Sequence, residues 1–273
     1  MPKVSALLAT YERGDILMKA VESLREQSLI DWELIIVDDS AGSGTAEAVK
    51  KFSSDARIRY FHREKKGSIA NASNFGVARA TGEYIAILDD DDWWIDSKKL
   101  EKQIAFLDSH PDYVGCGGGI VAMNAEGREL FKTLKPKEDK DIRRRALYAN
   151  PMANSTTIFR RATAAQAGNY DESLKQFADW DFWLKVGTVG KLYNFPEYFT
   201  AYTMWEKGAS FSKQREISQS AWKIVLRYKR KYPRFLHGVA FAASYWVYAR
   251  LPQVLKKFLN APLSRLKKFL FSN

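Results

Sequence analysis

Cysteine and histidine are almost absent from this chain of 273 residues. The single cysteine, Cys116, excludes an internal disulfide and a metal site built on cysteines, and it fits a reducing compartment. The three histidines stand apart in the sequence, which argues against a histidine metal cluster or a histidine base (His62, His110 and His237). Residues 1–4 also lack the basic and apolar regions that begin a signal peptide. We therefore expect the catalytic part of the chain to remain in the cytoplasm.

The positive charge is concentrated at the end of the chain. The formal net charge is +11, and residues 213–273 hold 14 of the 43 Lys and Arg residues but one of the 32 acids. Residues 1–212 are left with 29 basic and 31 acidic side chains, a net charge of −2. The sequence therefore predicts a near-neutral domain followed by a strongly basic tail.

Four consecutive carboxylates, Asp89 to Asp92, directly follow five apolar residues at 84–88. A short apolar run with turn residues before it is typical of a buried strand in a parallel sheet. Ligands of open α/β sheets bind beyond the carboxyl ends of the strands, where this cluster is expected. Carboxylates in that place suit a hard divalent cation that is shared with a phosphate. The alternative is a solvated acidic loop, because runs of like charge usually lie at the surface.

Strands and helices alternate through the first 110 residues. Apolar runs predict strands, and helical spacing predicts a helix after each of them, with the strands at 4–9, 33–37, 57–61 and 84–88 and the helices at 16–24, 45–52, 68–80 and 96–107. Such alternation predicts an α/β fold with a parallel sheet covered on both faces. Acids also end the second strand, at Asp38 and Asp39, so both acid groups should lie at one edge of the sheet.

The alternation stops after residue 110. Short strands are predicted at 113–116, 119–123, 154–159, 191–195 and 198–203, with a return strand at 129–131 and a helix at 162–167. A further helix is predicted from residue 177. Its first turn contains Asp179 and Asp181, where the helix dipole favours acids.

Several segments together resemble the family 2 glycosyltransferases of the GT-A fold. They are VSALLATY at 4–11, QS at 27–28, WELIIVDDS at 32–40, NFG at 74–76 and GEYIAILDDDD at 82–92. Each segment is weak alone, but their order and spacing within residues 3–212 are specific. The resemblance implies a Rossmann-like, mostly parallel sheet flanked by helices. Residues 1–110 would be its nucleotide-binding half and residues 111–212 its acceptor-binding half.

The resemblance also implies roles for the matching residues. The donor would be a nucleotide sugar, with UDP favoured by the habit of the family, and the cofactor would be Mn²⁺ or Mg²⁺. The family inverts, so an α-linked donor would give a β-linked product. Asp91 and Asp89 are the outer members of the metal-binding motif, and Asp179 would be the base that deprotonates the acceptor hydroxyl. The residues implied in nucleotide-sugar binding are Thr10, Tyr11, Glu12, Asp39, Asn74, Asp89 and Asp90.

Three positions depart from the family pattern. Ala178 stands where a Glu usually precedes the catalytic Asp, Ser73 stands where an Arg is usual, and Trp205 lies near the position of a His. Lys207 or Lys213 is the candidate for replacing the missing positive charge.

The tail, residues 213–273, combines apolar and basic side chains at helical spacing. Leu and aromatic side chains opposite Lys and Arg are typical of a helix that lies in the plane of an anionic membrane. We therefore predict attachment to the cytoplasmic face of the inner or plasma membrane, with a glycan or polyprenyl-linked acceptor. The alternatives are helices that pack on the domain or on a homodimer partner. Nucleic acid is not expected as a partner, because the tail contains no recognisable binding motif.

Two other functions compete with sugar transfer. A sugar nucleotidyltransferase would need a Gly-rich, basic loop after the first strand, and residues 9–12 are neither Gly-rich nor clearly basic. A catalytically inactive membrane adaptor gains support from Ala178 and Ser73. Two of the candidate site residues also have structural alternatives. Asp39 could belong only to a turn that ends the strand, and Asp179 could be only an acid that stabilises the N-terminus of a helix.

Overall fold

The computed structural model describes residues 1–63, 67–205 and 213–252. Its strands are β1 (Val4–Thr10), β2 (Trp32–Asp38), β3 (Ile58–His62), β4 (Tyr84–Ile87), β5 (Trp93–Trp94), β6 (Tyr113–Met123), β7 (Glu129–Thr133), β8 (Ile158–Arg160) and β9 (Lys191–Thr203). Its helices are α1 (Leu17–Arg25), α2 (Gly44–Val49), α3 (Ile69–Val77), α4 (Lys99–Ser109), α5 (Asp139–Arg145), α6 (Arg161–Ala167), α7 (Ala178–Val189), α8 (Gln214–Arg227) and α9 (Phe235–Arg250). Short 3₁₀ helices lie at Lys50–Phe52 and Asn154–Thr156. The predictions for Lys207 and for the end of the tail lie outside the described residues.

The first half of the chain forms the parallel sheet that its sequence predicts. The strand order is β3-β2-β1-β4, and β1 pairs in parallel with both β2 and β4, so that Val4 lies opposite Trp32 and Tyr84. Every residue of β2 is buried, as expected for a strand that is covered on both faces. The carboxyl ends of β1, β2 and β4 therefore meet at one edge of the sheet.

The sheet continues into a mixed second half. Strand β8 is antiparallel to β4 and β6, β9 runs parallel to β6, and β5 and β7 pair antiparallel with β9 and β6. The prediction of separate short strands is wrong for residues 113–123 and 191–203, because each range forms one strand whose irregular register lets it continue. The strand predicted at 154–159 starts only at Ile158, since a 3₁₀ helix takes up Asn154–Thr156.

Helices cover both faces of the sheet. Alternate residues of β1 enter two different cores, with Leu7 in one and Leu8 in the other. Helices α1 and α4 close the core of Leu8 with side chains such as Leu24 and Leu100. Helix α7 closes the other core with side chains such as Trp183. This three-layer arrangement confirms the predicted α/β fold class.

The tail helices pack against the domain. Helix α8 buries Ala221 and Ile224 in the same core as α7. In α9, Gly238 lies so close to Leu147 that a Cβ at this glycine would be 2.9 Å from the Leu147 carbonyl oxygen. Both described helices of the tail therefore contact the preceding domain. The apolar side of α8 faces the domain instead of a membrane or a homodimer partner.

A buried acid joins α8 to α7. Asp181 is fully buried, and its Oδ1 lies 2.6 Å from Arg227 Nη1 and accepts a hydrogen bond from the Tyr228 hydroxyl at 3.1 Å. Its Oδ2 lies 3.3 Å from Lys185 Nζ. A buried carboxylate is tolerated only with such partners, because removal from water is costly for an unpaired charge. Asp181 thus connects the tail to the helix that carries Asp179.

Asp181→Asn is expected to lower the free energy of unfolding by about 3 kcal/mol, because Arg227 loses its buried carboxylate. Urea unfolding followed by circular dichroism measures the change. The matched control is Asp141→Asn on α5, whose exposed carboxylate lies 3.8 Å from Arg144. The control should cost less than about 0.5 kcal/mol, as exposed pairs usually do. Equal losses in the two variants would contradict a role for Asp181 in holding the tail.

Candidate active site

The candidate site lies where β1, β2 and β4 end. Thr10, the last residue of β1, donates its hydroxyl to Asp90 Oδ2 at 2.7 Å. Asp90 is buried, and burial together with the charge of Asp91 raises its pKa, although Arg13 opposes this. The first-strand loop and the acid loop therefore lie together, at the edge of the sheet that the sequence predicts.

The loop after β1 is fixed to the loop after β2 by Glu12. This residue has a left-handed backbone (φ 54°), its N–H donates to Ser40 Oγ at 2.7 Å, and its carboxylate accepts the Ala41 N–H at 2.7 Å. A non-glycine residue in that conformation costs about 1–3 kcal/mol, so the contacts around Glu12 must hold it there. Tyr11 beside it is 45% exposed and is accessible to a ligand.

Asp39 forms a buried ion pair that the sequence did not reveal. Its two carboxylate oxygens accept hydrogen bonds from Arg63 Nε and Nη2 at 2.8 and 2.7 Å, and both residues are buried. Arg63 also donates to Asn71 Oδ1 at 3.0 Å, and its guanidinium lies 4.6 Å from the centre of the Phe75 ring. The predicted contact between Asp39 and a nucleotide base stays a prediction, and Arg63 is the cation beside it.

Asn74 connects α3 to the segment that precedes α7. Its amide nitrogen donates to the Tyr170 carbonyl at 3.0 Å and to Glu172 Oε1 at 2.8 Å, and its amide oxygen accepts the Tyr170 N–H at 2.9 Å. Both the amide nitrogen and the amide oxygen of Asn74 are thus hydrogen-bonded within the protein. A contact between Asn74 and the donor remains a prediction.

Ser155 lies between two acids of the cluster. Its hydroxyl oxygen is 2.9 Å from Asp89 Oδ2 and 2.5 Å from Asp92 Oδ2. Asn154 Nδ2 donates to Asp89 Oδ1 at 3.0 Å, and the Thr203 N–H donates to Asp92 Oδ1 at 3.0 Å. The 3₁₀ helix Asn154–Thr156 and the end of β9 therefore fix the direction of two carboxylates.

This 3₁₀ helix is itself held by buried polar side chains. Trp94 Nε1 donates to the Ser155 carbonyl at 2.7 Å, and Gln103 Nε2 donates to the Thr156 carbonyl at 2.8 Å. Lys99, which is fully buried, donates to Gln103 Oε1 at 2.8 Å. Helix α4 thus carries a polar stripe that supports the site, beside the apolar face that the sequence predicts for it.

Negative charge accumulates in the acid cluster. Burial, followed by the charge of Asp91, raises the pKa of Asp89 to about 7. Burial and the charges of Asp89 and Asp91 raise the pKa of Asp92 well above its ordinary value. Carboxylates in such surroundings gain stability from a nearby cation.

Asp91 is contacted by a cation and an indole. Arg13 Nη1 lies 2.8 Å from Asp91 Oδ2 and 3.0 Å from Asp90 Oδ1, and Trp205 Nε1 donates to Asp91 Oδ2 at 2.8 Å. The Thr203 hydroxyl donates to the Asp91 carbonyl. Trp205, at the position where the family usually has a His, thus contacts the predicted metal ligand directly.

The oxygen atoms of the cluster fit a hard divalent cation. Both side-chain hydrogen bonds to Asp91 fall on Oδ2, and the buried Oδ1 of Asn154 has no hydrogen-bond partner among the described residues. In the same part of the chain, no three His, Cys, Asp or Glu residues are grouped so that they could hold a metal. The site therefore suits a cation that takes one or two carboxylates and completes its coordination with phosphate oxygens and water.

Asp179 lies in the first turn of α7. The preceding Phe177 has a left-handed backbone (φ 62°), which turns the chain into the helix. Asn150 Nδ2 donates to Asp179 Oδ2 at 2.7 Å, and Lys135 Nζ donates to the Asn150 carbonyl at 3.0 Å. Burial raises the pKa of Asp179, although the first N–H groups of the helix, Lys135 and Asn150 oppose this. A carboxylate with a raised pKa has the character of a general base.

Asp179 and the acid cluster affect the same groups. The charge of Asp179 contributes to the raised pKa of Asp89. After burial, the charges of Asp179 and Asp89 both raise the pKa values of Tyr170 and Tyr202. The two acid groups, which are far apart in the sequence, are therefore close enough to influence the same side chains.

A cavity of about 320 Å³ opens beside Asn150 and Lys135. Its walls include aromatic side chains from the domain and from α9, namely Tyr148, Phe177, Trp180, Phe241 and Tyr245. Aromatic walls with a few polar groups are typical of sites for small organic ligands.

Sequence reasoning missed Arg13, Arg63 and Asn150. Arg13 directly follows the segment assigned to the nucleotide, so a single cation next to that segment was the available signal. Arg63 and Asn150 have no local signal, because they contact Asp39 and Asp179 across 24 and 29 residues of sequence.

The sheet and the acids at its edge define the class of GT-A glycosyltransferases, and solved structures share this fold. Staphylococcus aureus TarS 1–349 in complex with UDP-GlcNAc superposes with a TM-score of 0.67 at 20% identity, over 89% of this chain and 71% of that chain. The Pyrobaculum calidifontis mannosyltransferase PcManGT in complex with GDP-Man and Mn²⁺ has a TM-score of 0.66 at 16% identity, over 97% of this chain and 80% of that chain. The chain covers 43% of a longer TarS chain.

Residues 5–166 match the glycosyl transferase family 2. The putative teichuronic acid biosynthesis glycosyltransferase TuaG of Bacillus subtilis is 38% identical over 82% of this chain and 84% of the relative. The amylovoran biosynthesis glycosyltransferase AmsE of Erwinia amylovora is 30% identical over 68% of this chain and 70% of the relative. The chain belongs to glycosyltransferase family 2 and is a transferase, as the sequence motifs predict.

Proposed function

We propose that this protein is a metal-dependent, inverting glycosyltransferase that moves a sugar from a nucleotide sugar to a hydroxyl of a glycan. The observation that carries the proposal is a second buried carboxylate, Asp179, whose charge contributes to the raised pKa of Asp89 in the acid cluster. Direct displacement needs these two functions at one site, because the acceptor hydroxyl must lose a proton while the diphosphate leaves.

UDP is the proposed nucleotide. The TarS structure contains UDP-GlcNAc and the mannosyltransferase structure contains GDP-Man, so the shared fold accommodates a nucleotide sugar in both proteins. The relatives named for amylovoran and teichuronic acid biosynthesis support a role in making a bacterial polysaccharide. Thr10, Tyr11 and Glu12 would line the nucleotide site, at the loop that the structure fixes beside Asp90.

Asp91 and Asp89 would hold the metal, Mn²⁺ or Mg²⁺. When bound, the cation would neutralise the charge of the departing diphosphate without movement of a proton. Arg13, which contacts Asp90 and Asp91, adds a second positive charge at the same edge. Asn154 and Ser155 would keep the Asp89 carboxylate in place.

The acceptor would enter by the aromatic cavity beside Asn150. Asn150 and the first N–H groups of α7 would orient the Asp179 carboxylate that accepts the proton of the acceptor hydroxyl. Phe241 and Tyr245 line this cavity from α9, so the tail would take part in acceptor binding. In this proposal residues 1–110 bind the nucleotide, and residues 111–212 bind the acceptor together with α9.

The place of action proposed for the protein is the cytoplasmic face of the membrane, where a polyprenyl-linked acceptor would be available. The strongly basic tail supports this location, since each basic residue near an anionic leaflet contributes about 1 kcal/mol of attraction. Within the described ranges, no helix combines the length and the hydrophobicity that a membrane span requires. Because α9 packs on the domain, a truncation that tests the location should begin at residue 253 and keep α9.

A panel of UDP-, GDP- and dTDP-sugars with Mn²⁺ tests the function. The expected result is release of nucleoside diphosphate from a UDP-sugar, and its loss when EDTA removes the metal. Release of pyrophosphate would instead indicate a nucleotidyltransferase. No turnover with any donor, in a protein that is folded by circular dichroism, would indicate the inactive adaptor.

A further inference from the structure

A second cavity lies between α8 and α9, and its lining includes none of the acids of the candidate active site. It has a volume of about 330 Å³. Its lining consists of Arg215, Ser218, Gln219, Trp222 and Lys223 of α8, and Trp246 and Arg250 of α9. Among the described residues, this lining contains three cations and no carboxylate. We call it the basic cleft.

Tryptophan side chains lie beside the cations in the basic cleft. The Arg250 guanidinium lies 3.7 Å from the centre of the Trp246 ring and donates a hydrogen bond to the Trp246 carbonyl at 3.2 Å. Trp246 remains 45% exposed, and its neighbour Val247 is 51% exposed. Tryptophan is suited to the boundary between water and lipid, because it has an apolar body and a polar N–H. Arginine and lysine are the side chains that bind phosphate oxygens.

The cleft occupies the open end of a helical hairpin. The start of α8 faces the end of α9 there, and the short connection at residues 228–234 lies at the other end. The chain leaves α9 at this open end, and residues 253–273 contain five further Lys and Arg residues and no acid. In the sequence, these five basic residues therefore follow the end of α9 that lines the basic cleft.

We propose that the basic cleft binds the phosphate headgroups of an anionic lipid bilayer. The three cations complement the phosphates, and the two indoles contact the boundary of the acyl chains. The inference rests on the proposed membrane location and adds a defined contact site to it. It also orients the enzyme, because α9 presents Trp246 and Arg250 to the basic cleft while Phe241 and Tyr245 line the cavity beside Asn150.

Vesicle binding of charge variants tests the cleft. The full chain is sedimented with vesicles of phosphatidylcholine alone and with vesicles that also contain phosphatidylglycerol. Wild type should bind only the second kind. The variant Arg215→Gln/Lys223→Gln/Arg250→Gln should bind about 100-fold more weakly, because it loses three charges at the membrane surface.

The matched control is Lys229→Gln/Arg230→Gln/Lys231→Gln. It removes the same charge from exposed residues at the connection, about 20 Å along α8 from Arg215. Because this distance exceeds the Debye length of about 8–10 Å, the control should lose less than about tenfold. Equal losses of vesicle affinity in the two variants would overturn the proposed role of the basic cleft. They would leave a diffuse electrostatic attraction between the protein and the membrane. Absence of binding by wild type would contradict the membrane location as well.

Fluorescence quenching supplies a second, independent test. Lipids brominated on their acyl chains should quench tryptophan emission of the bound wild type, and Trp222→Phe/Trp246→Phe should abolish most of that quenching. Unchanged quenching in the double variant would place the contact elsewhere. Soluble glycerol phosphate should not displace the protein from vesicles at millimolar concentration. Full displacement would instead indicate a site for a soluble phosphate and would overturn the proposal.

Discussion

Asp179→Asn is expected to lower turnover by about 100- to 10,000-fold, the range that a positioned general base contributes. The substitution keeps the shape of the side chain and its hydrogen bond with Asn150, but it removes the ability to accept a proton. Turnover is measured as release of nucleoside diphosphate from the sugar donor that wild type uses fastest. UDP binding, measured by calorimetry, should stay within about twofold, because the base lies outside the nucleotide loops.

The control for this prediction is Asp181→Asn, two residues later on the same helix. Burial disfavours the charge of Asp179, so its neutralisation should leave stability unchanged or raise it. Asp181 has the opposite role, because its buried charge is paired with Arg227. Asp181→Asn should therefore lower stability and retain turnover per folded molecule. Normal turnover in Asp179→Asn would remove Asp179 as the base.

The pH profile gives a further check on the base. Asp179 must be deprotonated to act, and burial raises its pKa above the ordinary value of about 3.9 for Asp. Turnover of wild type should therefore fall as the pH is lowered. The midpoint of this fall should lie at a higher pH than it would if the base were an exposed Asp. The residual activity of Asp179→Asn should lose the part of this fall that belongs to Asp179 and keep the part that belongs to Asp89, whose pKa is raised to about 7.

The parallel half of the sheet was predictable because its signals are local. The apolar runs of β1, β2 and β4 each end in residues that the structure brings to one edge, and the spacing between them fixes the crossovers. Residues 113–203 were harder to predict. Continuous strands there pass through glycines and change register, and the pattern of short apolar runs does not distinguish such a strand from two.

The site was predictable only where its residues lie in contiguous segments. The acid loop was evident from four adjacent carboxylates, but its supports come from α4, the 3₁₀ helix Asn154–Thr156 and β9. Such contacts depend on tertiary packing and leave no periodicity in the sequence. The same reason explains the tail, whose α8 has the amphipathic pattern of a membrane helix while its apolar side packs into the core that also contains α7. Amphipathicity predicted a buried face correctly, but it did not identify what buries it.

Asp91→Ala is expected to lower turnover by about 1,000-fold, because a metal that neutralises the departing diphosphate contributes several kcal/mol to the transition state. The same variant should weaken Mn²⁺ binding in the presence of UDP, which electron paramagnetic resonance measures without any turnover. The control is Asp96→Ala, an acid just beyond the cluster that pairs with Lys102 at 2.7 Å. It should leave both turnover and Mn²⁺ binding nearly unchanged.

The role of Arg13 sharpens this last prediction. Arg13 already neutralises part of the charge on Asp90 and Asp91, so loss of Asp91 leaves the guanidinium with Asp90 alone. If Asp91 served only as a partner for Arg13, Asp91→Ala and Arg13→Gln would cause similar losses of turnover and neither would alter Mn²⁺ binding. If Asp91 holds the metal, only Asp91→Ala weakens Mn²⁺ binding, whereas Arg13→Gln removes a competing cation and leaves Mn²⁺ binding equal or stronger. Unchanged Mn²⁺ binding in Asp91→Ala would therefore assign this carboxylate to Arg13 and not to the metal.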